Sequence, residues 1–237
     1  KLVLSNEEEA QADLSATTVL VTGGLGDLGA QVARWLVESR GVGHVLLTSR
    51  RGNAAPGADT LEAELRALGA EVTIAACDVA NRESLESVIS AIPADYPLRG
   101  VVHAAGLLDD GVLATLTPER MAKVFAPKVS GGWHLHQLTE SMQLEFFVTF
   151  SSISSVVGGV GQGNYAAANA FLDALAQHRL SSGLAGTSVA WGPWAEGGMA
   201  AAMAEADKQR MQRQGMDFLS NEHGMALLEG ALSYEGG

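Results

Sequence analysis

The stretch TVLVTGGLGDLG, residues 18–29, decides the fold. A β-prone run leads straight into glycines at 24, 26 and 29, spaced G-x-G-x-x-G, after which the chain turns amphipathic. A lone match to that spacing says little. A strand before it and a helix after it supply the context in which the spacing has a mechanism. Glycine permits the tight turn and lets the backbone approach a pyrophosphate, whose charge rests on the helix N-terminus. The bland alternative is a glycine-rich turn with no ligand.

Outward from this point, short valine-rich runs alternate with amphipathic segments, the pattern of a parallel sheet covered by helices. Strands are predicted at 18–21, 45–48, 72–76, 100–103, 145–150 and 187–191. Helices are predicted near 28–39, 58–68, 82–91, 119–140 and 163–182. Leu61, Leu65 and Leu68 mark the stripe expected to face the core in the second helix. The expectation is one doubly wound α/β domain over 17–237, after an acidic lead-in at 1–16. Past Trp191 the pattern becomes turn signals and a Met- and Ala-rich helix, then another helix around 222–233. Region 192–220, above the carboxyl ends of the sheet, is where a substrate lid would sit.

Composition narrows the function classes. The 237 residues carry 15 basic and 27 acidic side chains, a formal charge of −12. Such a surface repels phosphates, which argues against non-specific nucleic-acid or anionic-membrane binding. The single cysteine, Cys77, excludes an internal disulfide and reads as a small core residue in a reducing compartment. No apolar run is long enough to span a bilayer, so the expected location is the cytoplasm. No residue pattern points to a metal.

The second strand ends in Thr48-Ser49-Arg50-Arg51, where an NAD-preferring site would place an acid on the ribose hydroxyls. Two arginines there can hold a 2′-phosphate through charge-assisted hydrogen bonds, so the expected cofactor is NADPH. Asp78, just past the third strand, is placed to cap the adenine or to start a helix.

Residues 161–171, GQGNYAAANAF, put Tyr165 and Asn169 one helical turn apart on one face. A lysine at the second position would make the tyrosine a proton donor beside its cation. With asparagine there, the residues alone leave three readings: an inactive site, a cation supplied from elsewhere, or ordinary packing.

Seven motifs in order now resemble the ketoreductase domains of modular polyketide synthases, within the short-chain dehydrogenase/reductase superfamily: TGGLGDLG (22–29), TSRRG (48–52), CDV (77–79), VVHAAGLLDDGVL (101–113), APKVSGGWHL (126–135), FSSISSVVGGVGQGNYAAANAFLDALA (150–176) and WGPWAEGGM (191–199). The resemblance implies that Lys128 supplies the cation, Ser152 bonds the substrate carbonyl, Tyr165 gives the proton and Asn169 supports them. It implies a cofactor surface of Thr22, Gly23, Gly24, Leu25, Gly26, Leu28, Gly29, Ser49, Arg50, Arg51, Asp78, Val79, His103, Ala104, Ala105, Gly106, Lys128, Tyr165, Gly192 and Pro193. Leu108, Asp109 and Asp110 match the Leu-Asp-Asp marker of the B-type, whose product carries the D-configured (3R) hydroxyl. Val157 stands where the A-type marker has tryptophan, and no proline follows Tyr165, which suits a non-epimerising enzyme. Gln162, Trp194 and Met199 are expected to touch substrate, the last two through the lid.

The implied reaction is NADPH-dependent reduction of a β-ketoacyl thioester on the phosphopantetheine arm of an acyl carrier protein. The family also carries an amino-terminal structural subdomain and neighbouring synthase domains as partners in one polypeptide. The alternative from another class is a redox-inactive scaffold domain that binds cofactor or carrier protein. A nucleotide-sugar epimerase or dehydratase on the same fold would keep the lysine one turn after the tyrosine.

Overall fold

A computed structural model describes residues 12–198, 205–213 and 215–233. Six parallel strands form one sheet in the order β3-β2-β1-β4-β5-β6. They are β1 (Thr18–Thr22), β2 (His44–Ser49), β3 (Glu71–Ala76), β4 (Leu98–His103), β5 (Phe146–Ser152) and β6 (Thr187–Trp191). The order reverses between β1 and β4, which is the crevice where open α/β sheets bind ligands. All six predicted strands are present. The fifth runs two residues further than predicted, so Ser152 ends the strand.

Each central strand has an apolar middle because both faces of the sheet are covered. Val19, Val21, Val45, Leu47, Val102 and Val148 point into one buried cluster with α1 (Asp27–Glu38) and α2 (Ala58–Ala67). The intervening Leu20, Leu46, Val101 and Phe147 point into the other, against α3 (Arg82–Ser90). Period-two alternation thus divides one hydrophobic run between two cores. Leu61 and Leu65 are buried as predicted, but Leu68 is 46% exposed. It caps α2 just before Gly69, whose φ of 100° turns the chain off the helical stripe.

The predicted helix at 119–140 is three pieces. An α-helix α4 (Pro118–Phe125) passes into a five-residue π turn (Ala126–Ser130), and α5 (Gly131–Thr139) follows. Pro127 has no N–H to donate, and its ring excludes the carbonyl one turn back, so an uninterrupted α-helix cannot form there. After β5 come a short α6 (Ser154–Val157) and the long α7 (Gly163–Ser181). The last helices among the described residues are α8 (Glu205–Arg213) and α9 (Asn221–Leu232). Among the described residues, no helix is long and apolar enough to cross a membrane.

Candidate active site

Strand register gathers the motifs. Thr22 pairs with Thr48 and with His103, and Ser49 pairs with Ala76, so four strands end at one level. The glycine loop, the arginine pair, Asp78 and the His103–Gly106 segment therefore share one rim of the sheet. Within the loop, Gly23 is the residue that needs glycine's backbone freedom: its φ is 72°, and a Cβ would sit 2.9 Å from Ala105. Gly29 packs on the backbone of Gly23 and Gly24, which draws α1 tightly onto the turn. Gly26 caps α1, and no side chain occupies that N-terminus as a capping acceptor. The first N–H groups of α1 have no acceptor within the helix.

The other rim residues divide. Arg50 and Arg51 are exposed, and no described side chain pairs with either. The Ser49 hydroxyl accepts a hydrogen bond from the N–H of Gly52 at 3.1 Å, closing the turn that carries them. Asp78 is exposed and accepts from the N–H of Ala80, while Asn81 is the residue that caps α3. Cys77 and Val79 are buried, and burial pushes the Cys77 thiol up, as for a core residue. His103 was expected at the cofactor, but its imidazole is fully buried, with Nδ1 2.7 Å from the Thr22 hydroxyl. Burial, then Lys128, pushes it down to about 3, so it is a neutral strut between β1 and β4. Only its backbone reaches the rim.

Lys128, Ser152, Tyr165 and Asn169 converge beyond β4 and β5. Lys128 is 3% exposed and leaves the π turn to donate from Nζ to the Phe150 carbonyl at 2.8 Å. The same Nζ lies 5.4 Å from the centre of the Tyr165 ring. Burial pushes Lys128 down to about 8, and the Asp173 carboxylate opposes that fall. Burial also pushes the Tyr165 phenol up, while hydrogen bonding from Asn169 and Ser152 pulls it back. Asn169 donates from Nδ2 to the Tyr165 carbonyl at 2.8 Å, and its Oδ1 is buried without a partner. Asn169 thus offers a buried acceptor one turn from Tyr165 on the same helix.

Asp173 is the residue that sequence reasoning missed. It accepts from the hydroxyls of Ser155 and Ser188, each at 2.6 Å, tying α7 to α6 and β6. Its place two turns beyond Tyr165 on the same helix was a usable signal. Asp109 and Asp110 also lie beside α7: Asn164 donates to the Asp109 carbonyl at 2.8 Å, and Gln162 donates to Asp110 Oδ2 at 2.9 Å.

The lid expectation fares differently. Trp194 is 3% exposed and packs at a tilt against Trp191, ring centres 5.0 Å apart, in the cluster that holds Leu228. Its indole is core, because Gly224 of α9 offers it a flat seat, and it does not line the cleft. Gly192 and Pro193 lead from β6 into that packing, and Leu219 donates its N–H to the Pro193 carbonyl. Met199 lies outside the described residues. A surface cleft of about 400 Å³ opens between α1, α2 and residues 196–197. It shares Leu25 and Gly26 with the loop but none of the four converging residues, so it is not where they could act.

The KR domain family matches residues 17–196. Polyketide synthase GfsB of Streptomyces halstedii is 56% identical over 91% of this chain, which spans 4% of that protein. Spectinabilin polyketide synthase system protein NorB of Streptomyces orinoci is 52% identical over 91% of this chain, 10% of its own length. Among solved structures, an A-type ketoreductase from a modular polyketide synthase is 47% identical with a TM-score of 0.88, over 94% of this chain and 46% of that one. The first ketoreductase of the tylosin synthase is 46% identical with a TM-score of 0.84, over 94% and 48%. A C2-type ketoreductase, 34% identical, has the same TM-score of 0.84, so the fold itself does not discriminate between the types.

Proposed function

We propose that this chain, which belongs to the KR domain family of modular polyketide synthases, reduces a β-ketoacyl thioester on an acyl carrier protein to the D-configured (3R) alcohol, using NADPH. The observation that carries the reading is the meeting of Lys128, Ser152 and Tyr165 next to the glycine loop, from three separate elements.

The residues fit a dinucleotide. Gly23 and Gly29 keep the loop tight, the α1 N-terminus offers N–H groups to a pyrophosphate, and Arg50 and Arg51 suit a 2′-phosphate. NADPH, when bound, supplies the hydride. The chain's own residues handle the oxygen. Ser152 donates to the carbonyl oxygen, whose charge grows in the transition state, so that bond stabilises the transition state more than the substrate. Tyr165 gives its proton to the developing alkoxide. Raised by burial, the phenol stays loaded at neutral pH, and the Lys128 ammonium favours the phenolate left behind. The buried, unpartnered Asn169 Oδ1 supports a part for this residue in returning the proton.

The (3R) outcome is supported by Leu108-Asp109-Asp110 and by Val157 in place of a tryptophan. Work within a larger polypeptide, beside an acyl carrier protein, is supported by the small share of its relatives that this chain spans. The test is NADPH oxidation with a β-ketoacyl thioester, for wild type and Tyr165→Phe. The expected loss is roughly 10²–10⁴-fold in kcat. An inactive wild type would point to the scaffold reading, and an unimpaired Tyr165→Phe would remove the tyrosine from its role.

A further inference from the structure

The wall beside Tyr165 hangs on one guanidinium. Residues 104–112 have no regular structure, yet they lie against the start of α7. Leu107 and Leu108 pack on the cluster that holds Tyr165, and the N–H of Gly111 donates to the Gly161 carbonyl at 2.8 Å. With the Asn164 and Gln162 bonds to Asp109 and Asp110, the segment is stitched to three of the four residues that precede the tyrosine.

Its shape is set from the other side by Arg120 on α4. Nε and Nη2 reach Asp109 Oδ1 at 2.9 and 2.7 Å, and Nη2 also donates to the carbonyls of Asp109 and Asp110 at 3.3 and 2.6 Å. Nη1 donates to the Thr115 carbonyl and hydroxyl at 3.0 and 3.3 Å. Lys123 takes the remaining Asp109 oxygen at 3.1 Å. Gly111 leaves room for the fork: a Cβ there would sit 2.6 Å from Nη1 and 2.9 Å from Nη2. The Asp109 carboxylate, held below its usual range by Arg120 and then Lys123, is therefore spent within the protein. It is a strut, and the guanidinium is the hub.

A ketone at Tyr165 shows one face or the other to a hydride donor, according to the side of the ring from which its acyl chain leaves. Leu107 and Leu108, packed on the cluster that holds Tyr165, border one of those sides. We propose that Arg120 is a specificity-determining positioning residue, whose fork holds residues 107–112 against Tyr165 and so fixes which ketone face is reduced. The inference rests on the reductase reading above.

The test is the configuration of the hydroxyl product, resolved by chiral chromatography, for wild type, Arg120→Met, Arg120→Lys and Gly111→Ala. Neither Met nor Lys offers a fork, and Gly111→Ala keeps every charge while filling the space of the guanidinium. All three variants should shift the product ratio about tenfold toward the minor configuration, with a smaller change in kcat. A purely structural role would lower kcat and the melting temperature at an unchanged ratio, and that result overturns the proposal. Should Arg120→Met fail to fold, Gly111→Ala decides alone by the same criterion. A wild type that oxidises no NADPH overturns the reductase reading, and this proposal with it.

Discussion

Replacing Lys128 by methionine should make the protein more stable while removing its activity. The ammonium is 3% exposed, and burial lowers its pKa from 10.5 to about 8. A fall of that size is roughly 3 kcal/mol of preference for the neutral form, which folding must overcome at neutral pH. Methionine fills a similar volume without a charge. It forfeits the bond to the Phe150 carbonyl, worth about 1.5 kcal/mol for a charged donor. The net gain is about 1.5 kcal/mol, or roughly 3–6 °C in melting temperature for a chain of this size. Turnover should fall roughly 10²-fold or more, since the phenolate loses its cation.

The sign of the pH dependence is a second readout. Below about pH 8 the lysine is charged in both states, and its burial cost is present in full. As pH rises toward 10.5 the folded state gives up its proton first, so the unfolded state binds more protons and wild-type stability climbs. Other groups titrate alike in both proteins, so the difference in melting temperature isolates Lys128. That difference should shrink steadily above about pH 8. Calorimetry across this range is the assay. A methionine variant that melts at or below wild type at pH 7 refutes the desolvation argument.

Gly29→Ala should lower the melting temperature and weaken dinucleotide binding together. Its methyl would meet the Gly24 Cα at 2.7 Å, where only backbone could yield, at a cost of about 1–3 kcal/mol. Arg50→Ala should raise KM for NADPH about tenfold and leave KM for NADH unchanged, because only the former has a 2′-phosphate to lose. Asp173→Asn removes the carboxylate that opposes the fall in the Lys128 pKa, so the alkaline limb of the kcat profile should move to lower pH. A drop in kcat with the limb in place would make Asp173 a mere tether of Ser155 and Ser188.

The strands and the glycine loop were legible because their causes are local. A strand buried on both faces is mostly apolar, with its buried polar side chains hydrogen-bonded, and a turn packed on a neighbouring backbone must be glycine. The π turn was not legible as a break, although Pro127 inside a helical pattern, with Gly131 and Gly132 behind it, was a visible cue. Motif position alone puts Trp194 at the substrate and His103 at the cofactor, because it carries no information on side-chain direction. Their burial depends on Gly224 and Thr22, which lie far from them in the chain. Asp109 had the same difficulty: nothing in the spacing of two acids announces an arginine on the next helix.

On the function proposed above, Lys128 does from the π turn what a lysine at residue 169 would do from α7. Residue 169 is fully buried, and its amide turns back to the carbonyl of Tyr165 within the same helix. An ammonium there would need acceptors that the helix has already used. From the π turn, Lys128 reaches the tyrosine by another route, over Gly106, where a Cβ would come within 2.9 Å of Cε. That glycine is required for the path of a side chain; its φ makes no special demand. The strand supplies the acceptor through Phe150, and α7 supplies the opposing charge through Asp173. The cation therefore needs three elements where a lysine on α7 would need one. A lysine some 37 residues before the tyrosine has no period to betray it, because its partner is set by the sheet and not by the helix.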